Sequence, residues 1–141
     1  MLKIISLVIL ISMLVPAVLF SSSDEKPRFK KKAHAKLAGN IGWNALAIDA
    51  YYEICFQKGM RLDNHLRGID KMFKKKWGMS FSKMMLKTEE RSGRDFREEA
   101  HDMIYKAIKK FNGCNNSGMK KWFDTVSKTH GKNLDKFHVL K

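Results

Sequence analysis

From residue 33 onward the apolar positions recur at spacings of three and four, and no stretch alternates apolar with polar residues. That is the period of a helix with a buried stripe, not of a half-buried strand. The longest such pattern runs from Ala33 to Lys58. Leu37, Ile41, Ala45, Ile48, Tyr52 and Cys55 form one stripe, and Trp43, Leu46, Ala47, Ala50 and Ile54 form a second beside it. Apolar residues on two sides predict the central helix of a bundle, with Gly59 placed to stop it. Gly39 and Gly42 weaken its first half and allow close packing or a kink.

A second helix is predicted by Leu62, Leu66, Ile69, Phe73 and Trp77, stopped at Gly78. Ser80 can cap a third, with Phe81, Met84, Met85 and Thr88 on one side, ending at Ser92-Gly93. Asp95 with Glu98 three residues on resembles a capping box for a fourth helix. That helix would bury Phe96, Ala100, Met103, Ile104, Ala107, Ile108 and Phe111, and Asn112-Gly113 would end it. Ser117 is the expected cap of a fifth carrying Met119, Trp122, Phe123 and Val126, ended by Gly131. Leu134, Phe137, Val139 and Leu140 then form a short helix or tail. The expectation is an all-α fold, a compact bundle of four to five helices occupying 33–141 as a single domain.

The chain's start has a different character. Met1-Leu2-Lys3 precedes a 17-residue run without a charge, Ile4 to Phe20, followed by Ser21-Ser22-Ser23. A positive start, an apolar run and small residues mark residues 1–23 as a secretory signal peptide, cleaved after Ser23, with Ser21 and Ser22 as alternatives. The alternative is retention as an anchor, since such a run is long enough to span a bilayer. Residues 24–32 are charged, contain Pro27 and read as a flexible arm. Export predicts a secreted or periplasmic protein. The two cysteines, Cys55 and Cys114, are then most economically one disulfide, two free buried thiols being the other possibility. There is no Cys-x-x-Cys spacing for thiol exchange or haem attachment.

Candidate chemistry adds little. Glu98 and His101 have the Glu-x-x-His spacing used in pairs by di-iron bundles, but it occurs once, and the apolar stripe claims the inward face. His101 and Asp102 are adjacent and so point apart on a helix. The histidines at 34, 65, 101, 130 and 138 have no zinc-site spacing. Met79, Met84 and Met85 suit core filling better than copper binding. No serine sits in a nucleophile elbow, and no glycine loop is built for phosphate. The reading is therefore non-enzymatic, with no cofactor and no metal.

Charge carries the functional expectation. The chain has 28 Lys and Arg against 14 Asp and Glu, a formal +14. Without Lys3 the segment 24–141 stands at +13. Glu89 to Asp102 holds six acidic residues against Arg91, Arg94 and Arg97, an acidic arc on a basic body. Basic residues concentrate at Lys74, Lys75 and Lys76, at Lys109-Lys110, at Lys120 and Lys121, and from Lys128 to Lys136, with Trp77 and Trp122 adjoining two of these clusters. Such patterning suits recognition of a protein partner through Lys74, Lys75, Lys76, Arg91, Arg94, Arg97, Lys120 and Lys121. The leading expectation is a small exported interaction protein, an inhibitor, immunity protein or periplasmic accessory factor. The alternative is a cationic binder of membrane surface or anionic envelope polymer, with peripheral membrane contact. Export disfavours nucleic acid as the anion. The general plan, a helical domain with one disulfide from an early helix to a later helix end, is similar to that of exported immunity proteins that guard bacteria against cell-wall amidase effectors. The similarity is one of architecture and transfers no residues.

Overall fold

The structure, a computed structural model, describes residues 26–58 and 62–141, with the side chains of all of these except 62–66. The expected signal peptide, 1–23, and Gly59 lie outside the described residues, as do the side chains of Leu62, His65 and Leu66. Among the described residues the chain is all-helical: α1 (Lys32–Phe56), α2 (Leu62–Trp77), α3 (Phe81–Ser92), α4 (Phe96–Phe111) and α5 (Ser117–Val139). No helix among them is long and apolar enough to cross a membrane.

α1 is the axis of the bundle, packing most extensively on α4 and α5. Its apolar residues lie on two sides, so it has a packed neighbour on each. Two apolar clusters result. At the start of α1, Ala38, Ile41 and Ala45 meet Ile69, Phe73 and Trp77 of α2, Phe81 of α3 and Phe137 of α5. Toward its end, Leu46, Ala50 and Tyr51 meet Ala100, Ile104 and Ala107 of α4 and Met119 of α5. The pairing of Asp49 with Arg97 and of Glu53 with His101, one turn further along each helix, means that α1 and α4 run parallel. Cys55 and Cys114 therefore reach the same end of the bundle, and they form a disulfide with Cα atoms 5.6 Å apart.

Three helix ends differ from the sequence expectation. α1 stops at Phe56, and Gln57, at φ 51°, takes the left-handed capping position expected of Gly59. Asn116 rather than Ser117 caps α5, its Oδ1 accepting from the Gly118 N–H at 2.8 Å. α5 also runs straight through Gly131 to Val139. An interior glycine costs about 1 kcal/mol against alanine, whereas continuing the helix past it buries Asn133 and Phe137. Burial of one Phe side chain is worth about 1.5–3 kcal/mol, so packing overrides the local preference. The other ends fall as the sequence indicates: Ser80 and Asp95 accept from the N–H groups of Lys83 and Glu98, while Gly78 and Gly93 take positive φ.

Candidate functional site

α3 is held differently from the other helices. At its start, Asp70 of α2 accepts twice from Ser82, from the backbone N–H at 2.8 Å and the hydroxyl at 2.7 Å. At its end, Glu89 accepts from the Phe96 N–H at 3.1 Å, fixing the corner into α4. Phe81 is buried against Gly42, where a side chain would have no room. Between these three fastenings α3 stands off α1 and leaves a cleft of about 270 Å³.

The cleft wall on α1 is Ala35, Ala38, Gly39, Gly42, Trp43 and Leu46, a single helical stripe of mostly small residues. Opposite lie Phe81, Met84, Met85 and Thr88 of α3; Phe29 of the arm and Phe96 of α4 complete the lining. Gly39 faces open space. Lys32 and Lys36, both exposed, flank the α1 wall. Beyond α3 a more open depression of about 470 Å³ shares Leu46, Phe81 and Met85 and adds Ser82, Leu86, Glu89, Asp95 and Arg97. Leu86 is 56 % exposed, so α3 presents apolar surface on both sides.

The basic residues singled out from sequence do not converge. Lys74, Lys75 and Lys76 end α2, beside the first apolar cluster. Lys120 and Lys121 begin α5 next to Met119 of the second cluster, at the opposite end. Arg94 and Arg97 are paired with carboxylates of the same chain. Arg94 grips Glu99 through two hydrogen bonds, Nε to Oε1 at 2.7 Å and Nη2 to Oε2, and its guanidinium lies 4.9 Å from the Phe96 ring centroid. That hydrogen bonding, against a smaller opposing effect of desolvation, holds the Glu99 carboxyl below the usual carboxylate range. Arg97 Nη2 lies 3.6 Å from Oδ2 of Asp49, a carboxylate only 4 % exposed. Arg91 is exposed at the end of α3.

His101 pairs with Glu53 of α1. Its Nε2 is 2.9 Å from Oε2 of Glu53, tying α4 to α1 two residues before Cys55 of the disulfide. Among the described residues no three His, Cys, Asp or Glu side chains gather as a metal site. Trp77 is buried against Phe73 and Phe137, and Trp122 is half-buried on the second cluster. The cleft was not visible in the sequence; the signals that bear on it are Gly39 and Gly42 on an otherwise apolar face, and the paired Met84-Met85. Comparison with family models, with curated proteins and with solved structures finds no match, so the general plan alone assigns no family.

Proposed function

We propose that the protein is a small exported binding protein, of inhibitor, immunity or periplasmic accessory type, that receives apolar anchor side chains of a protein partner in the α1–α3 cleft. The observation that carries this is the open, methionine- and aromatic-lined gap beside Gly39. Its volume of about 270 Å³ lies just under the roughly 300–1,000 Å³ usual for small-molecule pockets. It suits one or two anchor side chains of the kind that dominate protein interfaces. Unbranched methionines adapt to such a guest, and exposed Leu86 extends the apolar surface over α3. The work is binding, with no catalytic step.

A secreted or periplasmic location is supported by the signal-like residues 1–23 and by the disulfide, which persists in oxidising compartments. The formal +13 of segment 24–141 favours an acidic partner, attracted over a distance and screened by salt.

A photo-crosslinking residue placed at position 39, with one at position 121 as control, tests the reading in envelope extract. The expected result is one protein joined at 39 and not at 121, and the purified pair binding with sub-micromolar affinity. Gly39→Leu should weaken that pair by about a hundredfold, the scale of losing an interface hot spot. Recovery of lipid or polymer alone would overturn it in favour of the cationic-binder alternative.

A further inference from the structure

The end of the bundle where α1 begins carries a feature that the cleft does not use. Arg28, Lys30, His34, Lys76, Trp77 and Lys141 line a pocket of about 60 Å³. No Asp or Glu side chain lines it among the described residues. Apart from His34, every polar side chain in this lining is a donor with no acceptor. Cationic side chains gathered with no carboxylate side chain among them repel one another and complement an anion with several acceptor oxygens.

Two of the cations are held in place. The Arg28 N–H donates to the Trp77 carbonyl at 2.8 Å, and its guanidinium lies over Gly78, where a Cβ would come within 2.7 Å of Nε. Lys76 Nζ donates to the Phe137 carbonyl at 2.7 Å and sits 5.0 Å from that ring's centroid. Cations fixed in advance lose little freedom on binding a ligand. His34, 8 % exposed, has its ring 6.4 Å from that of Trp77, and its Nδ1 lacks a hydrogen-bond partner. An unsatisfied buried polar atom is uncommon in a folded protein and calls for a cause.

We propose that this basic end is an anion site for a phosphoryl or phosphodiester group, presented as a lipid headgroup or as free phosphate. The pocket, about 60 Å³, has the size of one tetrahedral oxyanion, so the rest of any larger phosphate ester would lie outside it. It is separate from the cleft, and the inference does not rest on the partner-binding reading.

The test is an NMR titration of the purified protein with inorganic phosphate at constant ionic strength, following the His34 and Trp77 ring signals. Both signals should move and saturate. Arg28→Gln/Lys30→Gln should weaken binding by at least about tenfold, since charge-assisted hydrogen bonds are lost. Lys120→Gln/Lys121→Gln removes the same charge at the other end and should change the affinity by less than about twofold, long-range charge being screened. Shifts that never saturate, or equal weakening in the two double variants, would overturn the site, as would a near-UV circular dichroism spectrum unchanged in variants that still bind fully. Vesicles of phosphatidylglycerol in phosphatidylcholine separate the sources: binding displaced by phosphate assigns a headgroup, and saturation by phosphate without vesicle binding assigns the free anion. Gly39→Leu should leave all of this intact, so failure here and failure of the cleft reading are distinguishable.

Discussion

The ring of Phe81 occupies the place where Gly42 lacks a side chain: a Cβ on Gly42 would lie 2.1 Å from Phe81 Cε2. This contact seats the start of α3 on α1. Alanine at 42 would gain up to about 1 kcal/mol of helix preference but force the ring out of a packed core, at about 1–3 kcal/mol. Gly42→Ala should therefore destabilise by about 1–2 kcal/mol net in urea unfolding. A variant as stable as the parent would mean that the ring moves freely and that α3 is not seated there.

Gly39, one turn earlier on the same helix, should behave oppositely. Nothing lies within 4 Å of its would-be Cβ, so Gly39→Ala meets no clash and gains only the helix preference. A stabilisation of about 0.5–1 kcal/mol is expected, read as a higher urea midpoint with an unchanged slope. Destabilisation would show that the cleft beside it is closed in solution.

Arg97 and Arg91 look equivalent in the sequence but should differ in effect. Arg97 lies beside the buried carboxylate of Asp49, so Arg97→Gln weakens the compensation of a charge held away from water. The distance of 3.6 Å is long for a hydrogen bond and the arginine is half-exposed, which places the cost at about 1–2 kcal/mol, below that of breaking a fully buried pair. Exposed Arg91→Gln should stay within about 0.5 kcal/mol of the parent. Equal losses in thermal unfolding would contradict this distinction.

The helices were legible because their stripes are local. α1 announces itself through apolar residues on two sides, and Cys114 directly after the α4 stop points to the staple. What failed were ends at which local and tertiary preferences disagree: Gly131 reads as a stop, yet Phe137 six residues later has a place in the core. Gln57 accepts a left-handed conformation beside the disulfide-bonded Cys55. The cleft was not legible, since it depends on Asp70 meeting Ser82 and Glu89 meeting Phe96, pairings that fix where α3 lies and leave no periodic trace. The arginines were readable as charges but not as the intramolecular partners of Glu99 and Asp49.

Tyr51 should give the fold an alkaline limit. Burial, and secondarily the nearby Tyr52, push its phenol above the ordinary value; its ring stacks on Phe123 at 3.8 Å. Above about pH 10 the unfolded chain releases this proton while the folded one retains it, so the unfolded state is favoured. The contribution of Tyr51 is thus fully present below the unfolded pKa and is lost as pH rises through the raised folded value. The urea midpoint of the parent should fall more steeply than that of Tyr51→Phe between about pH 9 and about pH 11. Parallel slopes would remove Tyr51 as the cause.

The disulfide should stabilise chiefly through the unfolded chain. Cys55 and Cys114 are 59 residues apart, and closing a loop of that size lowers the entropy of the unfolded state by an amount worth about 4 kcal/mol. Much of the stability of a domain this small is at stake, since such domains are stable by about 5–15 kcal/mol. The tie between α1 and α4 survives loss of the disulfide in part, because Glu53–His101 and Asp49–Arg97 join the same two helices, within the two turns of α1 that precede Cys55. Cys55→Ser/Cys114→Ser is therefore expected to remain helical by circular dichroism at low temperature, yet to unfold at a much lower urea concentration. Its slope against urea should rise, since an unstapled chain exposes more surface when it unfolds. A midpoint unchanged from the oxidised parent would show that native contacts, and not chain closure, hold this end of the bundle.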